Sequence, residues 1–126
     1  MTKWFTDYSN QHDFGIYCQH LQKENVTFDI IEKFIGYNKC ILLRTYLDGD
    51  HYVIITDMDD KYLYIWDSYY LDENYYRNKN DIIIDLNNPF KYNRKVLKEY
   101  FNTLEINDLT LGPIRKRKIL LISRKI

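Results

Sequence analysis

The sequence predicts one α+β domain over residues 1–126, in which N-terminal helices pack on a mostly antiparallel β-sheet. A chain of 126 residues is long enough for one hydrophobic core and too short for two ordinary domains. Three consecutive apolar runs joined by tight turns predict an antiparallel meander from Cys40 to Asp67. Hydrophobic residues make up 45% of the chain and only 2 are Pro, which excludes a disordered or collagen-like protein.

Two helices are expected before the sheet. Apolar residues recur at helical spacing between Asp7 and Asn25, which predicts a helix with one apolar face: Phe14, Cys18 and Leu21. A short extended piece, Val26 to Phe28, follows it. Asp29 then precedes an apolar helical pattern with Glu three residues on, so we expect an N-cap there and a second helix that ends at Gly36.

The meander consists of three predicted strands and two turns. The strands are Cys40 to Leu43, His51 to Thr56 and Tyr62 to Trp66. The turns are Asp48 to Asp50, where Asp-Gly favours a hairpin, and Met58 to Lys61. Consecutive strands joined in this way pair antiparallel.

The C-terminal half predicts a loop, two further strands and one helix. The polar and aromatic segment from Tyr69 to Asn80 is expected to be a loop over the sheet. Asp81 to Leu86 predicts a strand, which Pro89 follows. Asn93 to Leu104 carries apolar residues at helical spacing, and Ile119 to Ile126 predicts a last strand.

Charge and cysteine usage exclude several functions. Eighteen basic and eighteen acidic residues cancel, so no global field attracts nucleic acid or an anionic membrane. The basic run Arg115 to Lys118 is interpreted as the solvated start of the last strand, with a nucleic-acid patch as the alternative.

There is no apolar stretch of ~20 residues and no signal-peptide pattern, so we expect a cytoplasmic protein without membrane insertion. Cys18 and Cys40 are expected to be free thiols, and no zinc-type spacing predicts a metal or other cofactor.

One His and one Asp stand where two antiparallel strands meet an edge of the sheet. His51 opens one predicted strand, and Asp67 closes the next. Antiparallel pairing brings such positions side by side. A carboxylate beside an imidazole orients the ring and stabilises its charged form, which is the arrangement of a catalytic pair.

These strands resemble those of a known family. Residues 49–55, GDHYVII, and 64–68, YIWDS, resemble two strands of the papain-like peptidases that cut bacteriocin leader peptides after a double glycine. The helix over Ile30 to Phe34 also fits, and the likeness covers roughly Thr27 to Lys125. The resemblance implies a papain-like fold, with His51 as the general base and Asp67 as its orienting partner.

The resemblance does not extend to the nucleophile. The family carries its Cys at the start of a helix far upstream of the His, and this chain has Phe14 in its similar Asp-Phe-Gly segment. Either the nucleophile region is shortened or lost, or Cys18 takes the role, with Gln11 or His12 supplying the oxyanion donor. The alternative for Cys18 is a small buried residue of the helical stripe. Cys40 is interpreted as a core cysteine.

Aromatic residues near Asp67 are candidates for substrate binding. Trp66, Tyr69 and Tyr70 are expected to line a peptide groove, and Tyr75 and Tyr76 extend the same segment. The alternative is that these rings pack on the sheet. Apart from the oxyanion role considered for His12, we expect the two remaining histidines, at 12 and 20, to face solvent on a helix.

Three functions remain open from the sequence. The first is a cysteine peptidase or acyltransferase that acts on a peptide, amide or thioester, with Cys18, His51 and Asp67 as catalytic residues, in the processing of bacteriocins or similar peptide products. The second is a catalytically inactive peptidase-like domain that binds a peptide or protein partner. The third is an unrelated interaction protein in which His51 and Asp67 are ordinary surface residues.

Overall fold

The computed structural model describes residues 15–69, 76, 80–88 and 91–124. Within these ranges the chain forms seven strands, two α-helices and two short 3-10 turns, and no helix there is long and apolar enough to cross a membrane. The helices are α1 (Phe28–Phe34) and α2 (Lys98–Phe101). The strands are β1 (Ile16–Gln22), β2 (Lys39–Tyr46), β3 (Asp50–Met58), β4 (Tyr62–Trp66), β5 (Ile82–Ile84), β6 (Arg94–Leu97) and β7 (Lys118–Arg124).

The strands form one sheet in the order β1-β7-β2-β3-β4-β6-β5. Every neighbouring pair in this sheet is antiparallel. Strands β2, β3 and β4 are consecutive and adjacent, so the predicted meander is confirmed. An antiparallel sheet with two helices also confirms the predicted α+β class.

One face of the sheet, which we call the core face, carries the hydrophobic core. Its central strand residues are at most 2% exposed and pack with Ile31 of α1 and Phe101 of α2. The rings of Phe28 and Phe101 lie 6.1 Å apart and join the two helices. Truncating one aliphatic side chain of this core to Ala lowers the free energy of unfolding by about 2–5 kcal/mol. The central residues of the core face are Ile41, Leu43, Val53, Ile55, Leu63, Ile65, Val96 and Ile119.

The β3–β4 turn is held by the carboxylate of Asp59. One oxygen accepts the backbone N–H groups of Lys61 and Tyr62, at 2.8 and 2.7 Å, and the other accepts the Tyr64 hydroxyl at 2.7 Å. The Tyr64 hydroxyl and then the Tyr62 N–H lower the pKa of Asp59, and the same hydroxyl–carboxylate bond raises the pKa of Tyr64 to about 12. The turn therefore returns β4 along β3 in a defined register.

A β-bulge at Thr56 changes that register. On the turn side of the bulge Asp57 pairs with Tyr64, and beyond it Ile55 pairs with Ile65. Beyond the bulge, therefore, odd-numbered residues of β3 lie opposite odd-numbered residues of β4, on the same face. Without the extra residue they would lie on opposite faces, because successive side chains of a strand alternate.

The predicted helix from Asp7 to Asn25 is wrong for residues 16–22, which form β1, and residues 1–14 lie outside the described ranges. β1 is an edge strand that pairs along its whole length with β7, where Ile16 lies opposite Arg124. Cys18 and Leu21 therefore lie on opposite faces of the sheet rather than on one helical stripe. Pairing with a strand about 100 residues away overrides the local apolar spacing.

The helix predicted over Asn93 to Leu104 is also wrong in its first part. β6 occupies this part and lies between β4 and β5, with Arg94 and Val96 buried on the core face. Only Lys98–Phe101 is helical. The strand predicted over Asp81 to Leu86 is present as the shorter β5.

Helix α1 begins earlier than predicted. Its N-cap is Thr27, whose hydroxyl oxygen accepts the N–H of Ile30 at 3.2 Å, whereas Asp29, the predicted cap, lies in the first turn. The helix ends at Phe34, two residues before Gly36, the predicted end.

The basic run Arg115 to Lys118 is only partly solvated. Arg117 is 7% exposed, and its guanidinium donates to the carbonyls of Gly112 at 3.0 Å and Val26 at 2.9 Å. Burial lowers the pKa of this guanidinium. The interpretation of the run as a solvated strand start is therefore wrong at Arg117, which ties the segment before β7 to the segment before α1.

We expect Gly112→Ala to lower the free energy of unfolding by about 2–4 kcal/mol. The φ angle of Gly112 is +76°, and a Cβ there would lie 2.9 Å from both Cζ and Oη of Tyr46. Urea unfolding followed by circular dichroism measures the loss. The control is Gly36→Ala, where a Cβ would meet no atom within 4 Å. Equal losses in both variants would contradict this account.

Candidate functional site

His51 and Asp67 form a hydrogen-bonded pair at one end of the core face. The Nε2 atom of His51 lies 2.9 Å from Oδ1 and 3.0 Å from Oδ2 of Asp67. Extending the register beyond the bulge by one residue places Val53 opposite Asp67, so His51 is a diagonal neighbour of Asp67 on the same face. The predicted proximity of His51 and Asp67 is confirmed.

The Asp67 carboxylate is fixed from several directions. Its side chain has no exposed surface, and Oδ1 accepts the Tyr69 N–H at 2.9 Å in addition to the His51 contact. Asn93 holds the Asp67 backbone on both sides: its Oδ1 accepts the Asp67 N–H at 2.8 Å, and its Nδ2 donates to the Asp67 carbonyl at 2.7 Å. Neither the carboxylate nor its backbone can turn away without losing hydrogen bonds.

Arg94 supports the segment that follows Asp67. The residue is 1% exposed, and its three donor nitrogens bind the Tyr76 hydroxyl at 2.7 Å, the Tyr69 carbonyl at 2.9 Å and the Asn93 carbonyl at 3.0 Å. Burial raises the pKa of Tyr76, and its bond to Arg94 opposes that rise. This buried cation thus anchors Tyr69 and Tyr76 next to the His–Asp pair.

The imidazole of His51 is oriented and still accessible. Its side chain is 16% exposed, its backbone carbonyl accepts the Thr45 hydroxyl at 2.6 Å, and the ring of Tyr69 meets it edge-on at 6.1 Å. Nε2 is occupied by Asp67, while no residue of the described ranges hydrogen-bonds to Nδ1. Such a ring can accept a proton at Nδ1 from a group that approaches from outside.

Both cysteines lie far from this pair. Cys18 and Cys40 flank Ile122 on neighbouring strands, on the face opposite to the core face, which we call the outer face. Cys40 lies five residues along the sheet from the level of His51, and Cys18 lies two strands farther across. Strand spacing then separates His51 from Cys40 by about 17 Å and from Cys18 by roughly 20 Å. The structure therefore does not bring Cys18 to His51, and Cys18 stands on a strand rather than at a helix N-terminus.

The other predicted site residues divide into three groups. Tyr69 lies beside His51 with 54% of its surface exposed. Trp66 pairs with Ile54 and points to the outer face, so it does not share the face of the His–Asp pair, and Tyr76 is buried. The remaining candidates lie outside the described residues: Gln11, His12, Tyr70 and Tyr75. His20, expected on a helix, is half-buried on β1.

Asn93 and Arg94 are site residues that the sequence did not reveal. The apolar spacing predicts that they begin a helix, and no local motif links them to Asp67. The hydrogen bond from the Asn93 N–H to the Ile65 carbonyl, at 3.0 Å, brings them beside the end of β4. No group of three or more His, Cys, Asp or Glu side chains within the described ranges is placed to hold a metal ion.

Comparisons with protein families, with curated proteins and with solved structures found no match to this chain.

We expect Asp67→Asn to retain the fold and to lower the free energy of unfolding by about 1 kcal/mol, because the amide oxygen still accepts the Tyr69 N–H. Asp67→Ala should cost about 2–4 kcal/mol, since it leaves that N–H and His51 Nε2 without a partner in a buried cavity. Urea unfolding of both variants gives their free energies of unfolding, and Ile65→Ala, which truncates a core side chain, serves as the reference. If Asp67→Asn lowers the free energy of unfolding as much as Ile65→Ala does, Asp67 is a structural residue.

Proposed function

We propose that this chain is a papain-like peptidase-type domain that binds a peptide or another acyl-bearing partner at His51 and Asp67, and that it has no thiol nucleophile of its own there. The placement of the cysteines carries this proposal. The chain has 2 cysteines, both within the described ranges, and both lie on the outer face at the far end of the sheet.

Proton transfer limits the distance between a thiol nucleophile and the imidazole that removes its proton. A general base must be within hydrogen-bond reach of the proton that it removes, about 2.6–3.2 Å or one water molecule away. A separation of roughly 20 Å across a hydrogen-bonded sheet cannot be closed by side-chain motion. Cys18 also lacks the helix N-terminus that stabilises a thiolate in a catalytic cysteine. These facts favour the binding domain over an enzyme that uses Cys18.

The end of the sheet that carries His51 has features suited to a peptide. Tyr69 exposes an aromatic ring edge-on to the imidazole, and a tyrosine side chain offers both an apolar surface and a polar tip. The ring of His51 can hydrogen-bond to a peptide carbonyl or N–H through Nδ1, according to its protonation. The resemblance to leader peptidases supplies the substrate class, a peptide with an amide or other acyl group.

A second candidate function retains catalysis. Asp67 has no exposed side-chain surface and is fixed by Asn93, which is the kind of support that holds a catalytic histidine in one orientation. In this alternative His51 removes a proton from a nucleophile that arrives with the bound partner, such as water, an amine or a thiol. Attack on the acyl carbon then expels the leaving group, which takes the proton back from His51. Hydrolysis and acyl transfer differ only in that nucleophile.

In the folded protein we expect Cys18 and Cys40 both to react slowly with iodoacetamide at pH 7. Burial first, and then the nearby Cys18, raise the pKa of the Cys40 thiol, so it is protonated at neutral pH. His51→Ala should leave both rates unchanged. Mass spectrometry of the two tryptic peptides gives the rates, with protein in denaturing urea as the reference for full exposure. Fast labelling of Cys18 that His51→Ala abolishes would overturn the proposal.

A synthetic leader-type peptide with a double glycine should perturb the NMR signals of the His51 ring and the Tyr69 amide. Tyr69→Ala should raise the Kd about tenfold, because an exposed aromatic ring at the centre of a contact contributes on that scale. The control, Tyr37→Ala, removes another exposed ring at the opposite end of the sheet and should leave the Kd unchanged. Peptide binding that leaves the NMR signals of His51 unchanged would contradict the proposed binding site. Cleavage of the peptide would favour the second candidate function.

A further inference from the structure

A second open site lies at the opposite end of the sheet from His51. It is a cleft of about 1020 Å³, which is at the upper end of the size range of small-molecule sites. The starts of β1 and β2 and the ends of β3 and β7 meet there, together with Tyr92. This site is independent of the proposed function.

Two of the residues that line the cleft are glycines. A Cβ on Gly15 or on Gly36 would meet no atom within 4 Å, so a ligand can approach the backbone at both positions. Gly36 has no positive φ, and a side chain there is therefore sterically tolerated. A larger residue at this position would occupy part of the cleft without disturbing the sheet.

The charged residues of the cleft are mostly cationic. Lys39, Lys91 and Arg124 line it, against one carboxylate, Asp57. An oxygen of Asp57 already accepts the N–H of Met58 at 2.8 Å. In the part of the chain that the structure describes, none of the three cations forms an ion pair. Lys39 does lie over the ring of Phe34, with its Nζ 5.3 Å from the ring centroid. Three positive charges with no ion-pair partner among the described residues, around an open cleft, favour an anionic ligand.

Aromatic and aliphatic side chains form the rest of the lining. Tyr37 is 91% exposed, and the ring of Tyr92 lies 4.5 Å from that of Tyr64, which holds it in place. Ile16 and Ile122 add aliphatic surface. A planar apolar group can contact these side chains while its anionic group meets the cations.

We propose that this cleft binds a small organic anion that joins a planar apolar body to a sulfonate, phosphate or carboxylate group. The volume suits one such molecule, the cations select its charge, and the tyrosines contact its ring. Cys40 also lines the cleft, and burial raises the pKa of its half-buried thiol.

The test uses two naphthalene probes of similar size and opposite charge. Naphthalene-1-sulfonate should bind saturably and shift the NMR signals of the Gly15 and Gly36 amides. The cationic 1-naphthylmethylammonium should bind at least about tenfold more weakly, because the cations repel it. Equal affinities of the two probes, or shifts spread evenly over the protein, would overturn the proposal.

Variants locate the binding and identify its chemistry. Gly36→Leu should weaken sulfonate binding about tenfold by occupying part of the cleft, and Arg124→Glu should weaken it by a similar factor by reversing an exposed charge. Lys61→Glu reverses an exposed charge outside the cleft and should have no effect. Unchanged binding in both cleft variants would overturn the site. Tighter binding of an Asp- and Glu-rich hexapeptide than of the sulfonate would overturn the small-molecule ligand in favour of an acidic peptide.

Discussion

The candidate site depends on the register of β3 against β4. Side chains alternate along a strand, so a slip of one residue would turn Asp67 to the face opposite His51. The β-bulge at Thr56 sets this register, and the carboxylate of Asp59 fixes the turn from which the pairing starts. A single extra residue on β3 thus decides that an imidazole and a carboxylate lie on one face, 2.9 Å apart.

Support for that pair comes from β6, which is distant in sequence. Asn93 holds the backbone of Asp67, and Arg94 holds the carbonyl of Tyr69 and the hydroxyl of Tyr76. Polar groups buried in this way keep their hydrogen bonds only in one arrangement, and an unsatisfied partner costs about 1–3 kcal/mol. These hydrogen bonds hold Asp67 and Tyr69 in place beside His51, which suits a binding or proton-transfer role.

The sheet separates two kinds of chemistry. At one end, on the core face, His51 and Asp67 form a hydrogen-bonded pair with an accessible imidazole nitrogen. At the other end, Cys18 and Cys40 lie on the outer face, and Cys40 lines the cationic cleft. Because hydrogen-bonded strands keep these ends apart, the thiols and the imidazole cannot form one catalytic centre. This separation is the physical basis for proposing a peptidase-type domain without its own nucleophile.

The sequence by itself determined the three-stranded meander, and with it the placement of His51 and Asp67 at the same end of two neighbouring strands, because short turns join these strands. Only the β-bulge at Thr56, which the alternation of apolar residues does not predict, puts the two side chains on one face. Only the tertiary structure decided β1 and β6, where apolar spacing matched a helix but pairing with distant strands supplied the backbone hydrogen bonds. It also decided the positions of Cys18 and Asn93, because a residue's neighbours across a sheet depend on strand order, which short-range patterns do not encode.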